Sequence, residues 1–233
     1  MKNNIIELNK ISVIFNKDTA NEVTALKNLT LNIEQGDVII IEGGNGSGKS
    51  TLLNLIKKNV IAAKGNIKIH GIDISKLSNY RISKKTSTIF QNPSDGLCLN
   101  LTVYENLIFG LFKNTNLKLK WTNSKSYRKK IIDHLETLNI RVLIEKIDER
   151  LANLSGGQRQ LVSIAKVSLE LPELLLLDEP VSALDSVNSL QVENLILETL
   201  EKNKTTALWV THKKIDSEKT NFKYIKLLKG EIQ

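Results

Sequence analysis

The chain has 233 residues, 41% of them apolar and 25% charged, with a formal net charge of +8. This fits one globular domain, or one with a sub-lobe, and excludes a membrane-spanning helix, since no run of roughly 18 apolar residues occurs. The single Cys98 excludes an internal disulfide and suits a reducing compartment, and the first seven residues lack the apolar core of a secretory signal.

Residues 5–15 and 26–33 alternate in the manner of half-exposed strands. Leu29, Leu31 and Ile33 point one way, and Thr30 and Asn32 the other. Residues 38–41 form a β-branched run that reads as a buried strand. Gly43, Gly44, Asn45, Gly46, Ser47, Gly48, Lys49 and Ser50 follow it and match the phosphate-loop pattern G-x-x-x-x-G-K-[ST]. Glycines let backbone N–H groups curl around phosphates, Lys49 would reach the β- and γ-phosphates, and the Ser50 hydroxyl would ligate Mg²⁺. Thr51 is expected to open the next helix, with its positive end toward the anion.

Ile67 and Ile69 continue the strand alternation. From about residue 93 to 154 the pattern turns helical and polar, which reads as an inserted helical lobe. Within it, residues 113–130 carry seven Lys or Arg and no acid, beside Trp121 and Tyr127. The other basic residues are dispersed, so the positive charge reads as solvated lysine faces rather than a nucleic-acid surface. Leu154, Ser155, Gly156, Gly157 and Gln158 stand at a helix start and offer an anion-holding surface with no catalytic group.

Residues 174–177 read as a second buried strand, ending at Asp178, which is placed to hold Mg²⁺. Glu179 projects differently and is a candidate general base. Residues 207–210 form a third such strand, ending at Thr211 and His212. Three strands thus deliver polar residues at their C-terminal ends, where ligands of open α/β sheets bind.

The phosphate loop, the pentapeptide from Leu154 to Gln158 and the strand ending in Asp178-Glu179-Pro180, in this order, resemble the ATP-binding subunit of ABC transporters over nearly the whole chain. The resemblance implies an α/β fold with a P-loop ATPase core, an N-terminal antiparallel β subdomain and an inserted α-helical subdomain. The expected division of the single domain is residues 1–91 and 165–233 for the core and 92–164 for the helical lobe. The resemblance also implies ATP and Mg²⁺ as ligands, with Ser50, Gln91 and Asp178 at the metal.

Further roles come from the same likeness. Gln91 matches the glutamine that contacts Mg²⁺ and the attacking water. His212 matches the switch histidine at the γ-phosphate, and Phe15 stands where an aromatic stacks on adenine. Ser182, Ala183, Leu184 and Asp185 match the loop that crosses to a partner subunit. Ser155 and Gly157 would face the γ-phosphate of that partner's ATP. Three positions depart from the family pattern. Gly44 replaces a common proline, Glu42 a usual aliphatic residue, and Lys213 and Lys214 follow His212 where an acid is frequent.

The resemblance therefore implies an ATPase that works as a dimer, either with itself or with a second ATP-binding subunit. It would sit on the cytoplasmic face of the membrane against separate permease subunits, with no direct nucleic-acid partner. The segment from Phe90 to Asn106 is similar to bacterial importers paired with a substrate-binding lipoprotein, whose cargo is a small organic solute. The alternatives are an ABC exporter ATPase, a non-transport ABC ATPase on nucleic acid or ribosomes, and an ATP-binding module without catalysis.

Overall fold

The computed structural model describes residues 4–113, 124–212, 215 and 222–233. In chain order the first elements are β1 (Asn4–Phe15), β2 (Val23–Glu34), β3 (Val38–Glu42), α1 (Lys49–Ile56), β4 (Lys64–Ile69), β5 (Ile72–Asp73), α2 (Asn79–Lys85) and β6 (Thr86–Ile89). They are followed by α3 (Val103–Phe112), α4 (Lys125–Thr137), α5 (Arg141–Glu145), α6 (Gly156–Glu170), β7 (Leu174–Asp178), α7 (Ser186–Asn203), β8 (Thr206–Thr211), β9 (Phe222–Leu228) and β10 (Glu231–Ile232). No helix among the described residues is long and apolar enough to cross a membrane.

Two compact units emerge: Met1–Thr86 with Glu173–Glu179 and Lys204–Gln233, and Ser87–Pro172 with Pro180–Asn203. These limits differ from the expected 92–164 lobe. Helix α6 runs on to Glu170, and α7 packs against it, so both belong to the second unit.

In the first unit, β1 pairs antiparallel with β2 on one side and β4 on the other, and β4 turns into β5. The alternation follows the sequence pattern, with Leu29 and Ile33 buried and Thr30 and Asn32 exposed. A second sheet has the order β10-β9-β3-β8-β7, with β3 parallel to β8 and β9, and β7 parallel to β8. Its central strands are buried on both faces, which explains their unbroken apolar runs. Ile39 and Ile41 from β3, Leu52 and Leu53 from α1, and Leu174, Leu176, Leu208 and Val210 join Ile6, Leu8 and Ile11 of β1 in one core. Full burial of each such side chain is worth roughly 1.5–3 kcal/mol. The register places Glu42 opposite Thr211 and Asp178 opposite Val210, so three strands end together at one edge.

The second unit is helical. Thr102 and Glu105 form a reciprocal capping box at the start of α3, and buried Asn106 holds the preceding turn through Cys98 N and O. Lys113 donates to Glu170 at 2.7 Å and to Ser87 at 2.8 Å. Arg128 pairs with Asp148, and Lys130 lies over the Tyr127 ring. Part of the basic run at 113–130 is therefore locally committed. Residues 114–123, including Trp121, lie outside the described residues, as do Lys213 and Lys214.

Candidate active site

The phosphate loop leaves the end of β3 and enters α1, which begins at Lys49 rather than at Thr51 as the sequence reading had it. Gly48 is the helix N-cap with φ +103°, a left-handed conformation that a side chain would resist. The close approach at this residue is equally demanding. A Cβ on Gly48 would lie 2.5 Å from the Ala25 carbonyl oxygen, and one on Gly43 would lie 2.5 Å from that of Leu227. By contrast, a Cβ on Gly44 meets nothing within 4 Å. The loop is braced from behind: Gly230 N–H donates to the Ser47 carbonyl at 2.9 Å, and Lys27 N–H to the Gly230 carbonyl at 2.8 Å.

Lys49 is buried, and its ammonium donates to the carbonyls of Gly43 at 2.8 Å and Gly44 at 2.9 Å. The hydroxyl of Ser47 is buried and meets no partner among the described residues. A buried hydroxyl with no partner costs free energy unless a ligand satisfies it, so a cradle of this shape suits an anionic oxygen. Phe15 ends β1 opposite Val23, two positions before Ala25 in β2, and is 39% exposed. It offers a ring face at the surface on the same hairpin whose Ala25 touches the loop.

Asp178 ends β7 half-buried, and burial pushes its carboxyl above the ordinary carboxylate range. The Lys57 ammonium opposes that shift, the Glu179 charge adds to it, and Lys49 and a hydrogen bond from Ser50 oppose it. Lys57 is the converse case, its pKa lowered by burial and partly restored by Asp178. A hydroxyl and a carboxylate in contact are hard oxygen donors. They suit Mg²⁺, which uses one or two carboxylates and completes its shell with water and phosphate.

Glu179 turns the chain sharply after β7, with φ +48° and its N–H bonded to the Val210 carbonyl at 3.0 Å. Its carboxylate accepts from His212 Nε2 at 2.6 Å. The histidine side chain is 40% exposed and the glutamate 15%, so the ring faces solvent while the carboxylate sits behind it. Lys49, Ser50, Asp178, Glu179 and His212 therefore share the first unit and one sheet edge.

The remaining predicted residues lie in the second unit. Gln91 is exposed at the bend two residues after β6. Ser155 caps α6, accepting from Gln158 N–H at 3.3 Å, while Gln158 Oε1 accepts from Ser155 N–H at 3.1 Å. This reciprocal box leaves Gly156 open, whereas a Cβ on Gly157 would press on Asn188 at 3.1 Å. Leu154 is buried beneath the cap. Ser182 and Ala183 are exposed and Leu184 half-buried. Asp185 starts α7 by accepting from Asn188 N–H at 3.0 Å.

One residue was missed. Gln160 is fully buried on α6, and its Nε2 donates to the carbonyls of Pro180 at 2.8 Å and Phe90 at 3.3 Å. The available signal was a carboxamide on the stripe Gly157, Gln160, Leu161, Ile164, where helix spacing calls for an apolar residue.

A glycine loop with a buried lysine, at the C-terminal edge of a parallel sheet in which the strand two places away ends in a carboxylate, defines a P-loop ATPase. The family model for ABC transporters matches residues 26–182, and the chain belongs to that family as an ATP-binding subunit and ATPase. It is 36% identical to the "Tyrosine transport ATP-binding protein" of Clostridioides difficile (strain R20291), covering 98% of this chain and 90% of that protein. Several further relatives carry "import" in their names, and the chain spans between 46% and 90% of the length of the relatives it matches. Among solved structures, the dimeric ATP-binding cassette MJ0796, in a post-hydrolysis state bound to ADP and Pi, aligns with a TM-score of 0.79 at 29% identity, covering 98% of this chain and 96% of that one. The Clostridium perfringens cbiO1 subunit, described as part of the ABC transporter complex cbiONQ, aligns with a TM-score of 0.78 at 26% identity, covering 100% and 88%.

Proposed function

We propose that this ATPase powers import of a small organic solute through separate membrane subunits. It would act as a dimer in which each ATP lies between one copy's phosphate loop and the other copy's Ser155–Gln158 helix start. The observation that carries the reading is the division of labour between the units. One holds Lys49, Asp178, Glu179 and His212. The other presents a capped helix start that has N–H groups but no acid or base of its own. Such a surface contributes to hydrolysis only against another site.

The proposed roles follow from the chemistry. Gly43 to Thr51 cradle the phosphates, Lys49 neutralises their charge and Phe15 stacks on the base. Mg²⁺, when bound, would be held by Ser50 and Asp178, with Gln91 near it, and would supply charge neutralisation at the phosphates. Glu179 takes the proton of the attacking water, and His212 holds that carboxylate in place. Ser182 to Asp185 would cross to the partner copy.

Support for transport comes from the family and from the relatives' names, and support for a dimer from the dimeric cassette. The tyrosine-transport relative favours an amino acid or a similar solute. Such a subunit would lie on the cytoplasmic face of the membrane, against its permease; an extracellular binding lipoprotein is part of the same proposal. The decisive experiment purifies the chain with its membrane partner and measures ATPase in vesicles. Stimulation by amino acids presented on the outer side is expected. Stimulation only by solutes presented from inside would replace import with export.

A further inference from the structure

We propose that Gln160 is a positioning residue for hydrolysis, tying helix α6 to the backbone immediately before Gln91 and immediately after Glu179. This rests on the roles given above to those two residues.

The side chain leaves the first turns of α6, two residues beyond Gln158. Its carboxamide donates to the Pro180 carbonyl at 2.8 Å and to the Phe90 carbonyl at 3.3 Å. Phe90 lies just past the last residue of β6, and Pro180 lies past the end of β7. Phe90 is followed in the chain by Gln91, and Pro180 is preceded by Glu179. One planar amide thus fixes the distance between three backbone segments, each of which carries a residue of the proposed reaction.

Stability alone does not account for this group. Gln160 has no measurable exposure, and its buried Oε1 meets no partner among the described residues. An unpaired buried acceptor disfavours the folded state, and leucine or methionine would avoid it only by taking this donor from the Pro180 and Phe90 carbonyls. What an apolar residue cannot supply is two N–H donors pointing at two carbonyls at once. Displacing a catalytic group by about 1 Å can cost on the order of a hundredfold in rate, so a backbone anchor of this kind acts on turnover more than on affinity.

The test compares Gln160→Met, Glu179→Gln and a packing control, Leu161→Val, in the full chain. Gln160→Met keeps the length of the side chain and removes both donors. Its kcat is expected to fall at least tenfold, with ATP affinity within about threefold of the parent, and the loss of kcat should be larger than Leu161→Val shows for a comparable fall in melting temperature. Gln160→Asn, one methylene too short to reach both carbonyls, should show the same split between kcat and KM, and serves if the methionine variant cannot be purified. The inference is overturned if Gln160→Met keeps parental kcat, or if kcat tracks melting temperature equally in the Gln160 and Leu161 variants. Normal turnover in Glu179→Gln would instead overturn the underlying assignment of the base.

Discussion

His212 Nε2 donates to Glu179 Oε1 across 2.6 Å, joining the end of β8 to the turn after β7. The contact holds the carboxylate by one oxygen. Because Glu179 sits in a left-handed turn, its backbone cannot relax freely, and the histidine completes the constraint.

Replacing Glu179 by Gln keeps the shape and removes the base. Phosphate release should fall by about 10²- to 10⁴-fold while ATP still binds, and ATP-dependent dimers should accumulate in size-exclusion chromatography. Parental turnover would remove Glu179 from the mechanism.

His212→Ala should leave ATP affinity within a few-fold of the parent and lower kcat by about tenfold or more, because the carboxylate loses its orientation. Equilibrium nucleotide titration beside steady-state kinetics separates the two effects. A loss of affinity with normal kcat would place the histidine in binding alone.

Two glycines of one loop should respond oppositely. Gly48→Ala puts a methyl 2.5 Å from the Ala25 carbonyl oxygen at φ +103°, and nucleotide binding should be lost. Gly44→Ala meets nothing within 4 Å and should bind ATP as the parent does. Isothermal titration of both variants checks the contrast.

Ser155 caps α6 and is proposed to meet the partner copy's phosphate, and the two can be separated. Ser155→Ala removes the cap of α6 and should cost about 0.5–2 kcal/mol of stability. Ser155→Asn restores a capping oxygen and should recover the melting temperature. If the serine also meets the partner copy's phosphate, the asparagine variant should remain slow in hydrolysis. Full recovery of both would reduce Ser155 to a helix cap.

His134 gives a pH signature. Burial, reinforced by Lys202 and opposed by the Ala165 carbonyl, lowers its pKa below 6.5, and its Nε2 lies 2.7 Å from Ser168 Oγ. The unfolded chain then binds more protons than the folded one between the folded value and 6.5. Stability contributed by the neutral ring is thus present above that pH and lost as pH falls through it. His134→Gln should flatten the change in urea midpoint between about pH 7.5 and about pH 5.5.

The parts of the site readable in advance were those set by residue type at a strand end. Lys49 after four loop glycines, Asp178 after four leucines and His212 after the buried run from Ala207 to Thr211 are local patterns. Gln160 was not readable in this way, because its partners are carbonyls 70 and 20 positions away and carbonyls carry no sequence mark. The capping duty of Asp185 was hidden behind its resemblance to a crossing loop. The start of α1 at Lys49 depended on the φ of Gly48, which composition permits but does not specify. The division into units depended on α7 packing against α6, a tertiary choice.

The strand that delivers the phosphate loop lies between β8 and β9, both drawn from the last part of the chain. Asp37, just before β3, pairs with Lys223 at 2.7 Å, 186 positions onward. Gly230 then closes the brace behind Ser47. During synthesis, therefore, the loop emerges early but stays without its flanking strands until β8 and β9 have left the ribosome. Such long-range pairing forms slowly and exposes apolar strands in the interval. Nascent chains halted before residue 222 should be chaperone-dependent and blind to nucleotide, and ATP should begin to protect them from proteolysis only once β9 and the turn at Gly230 have been added.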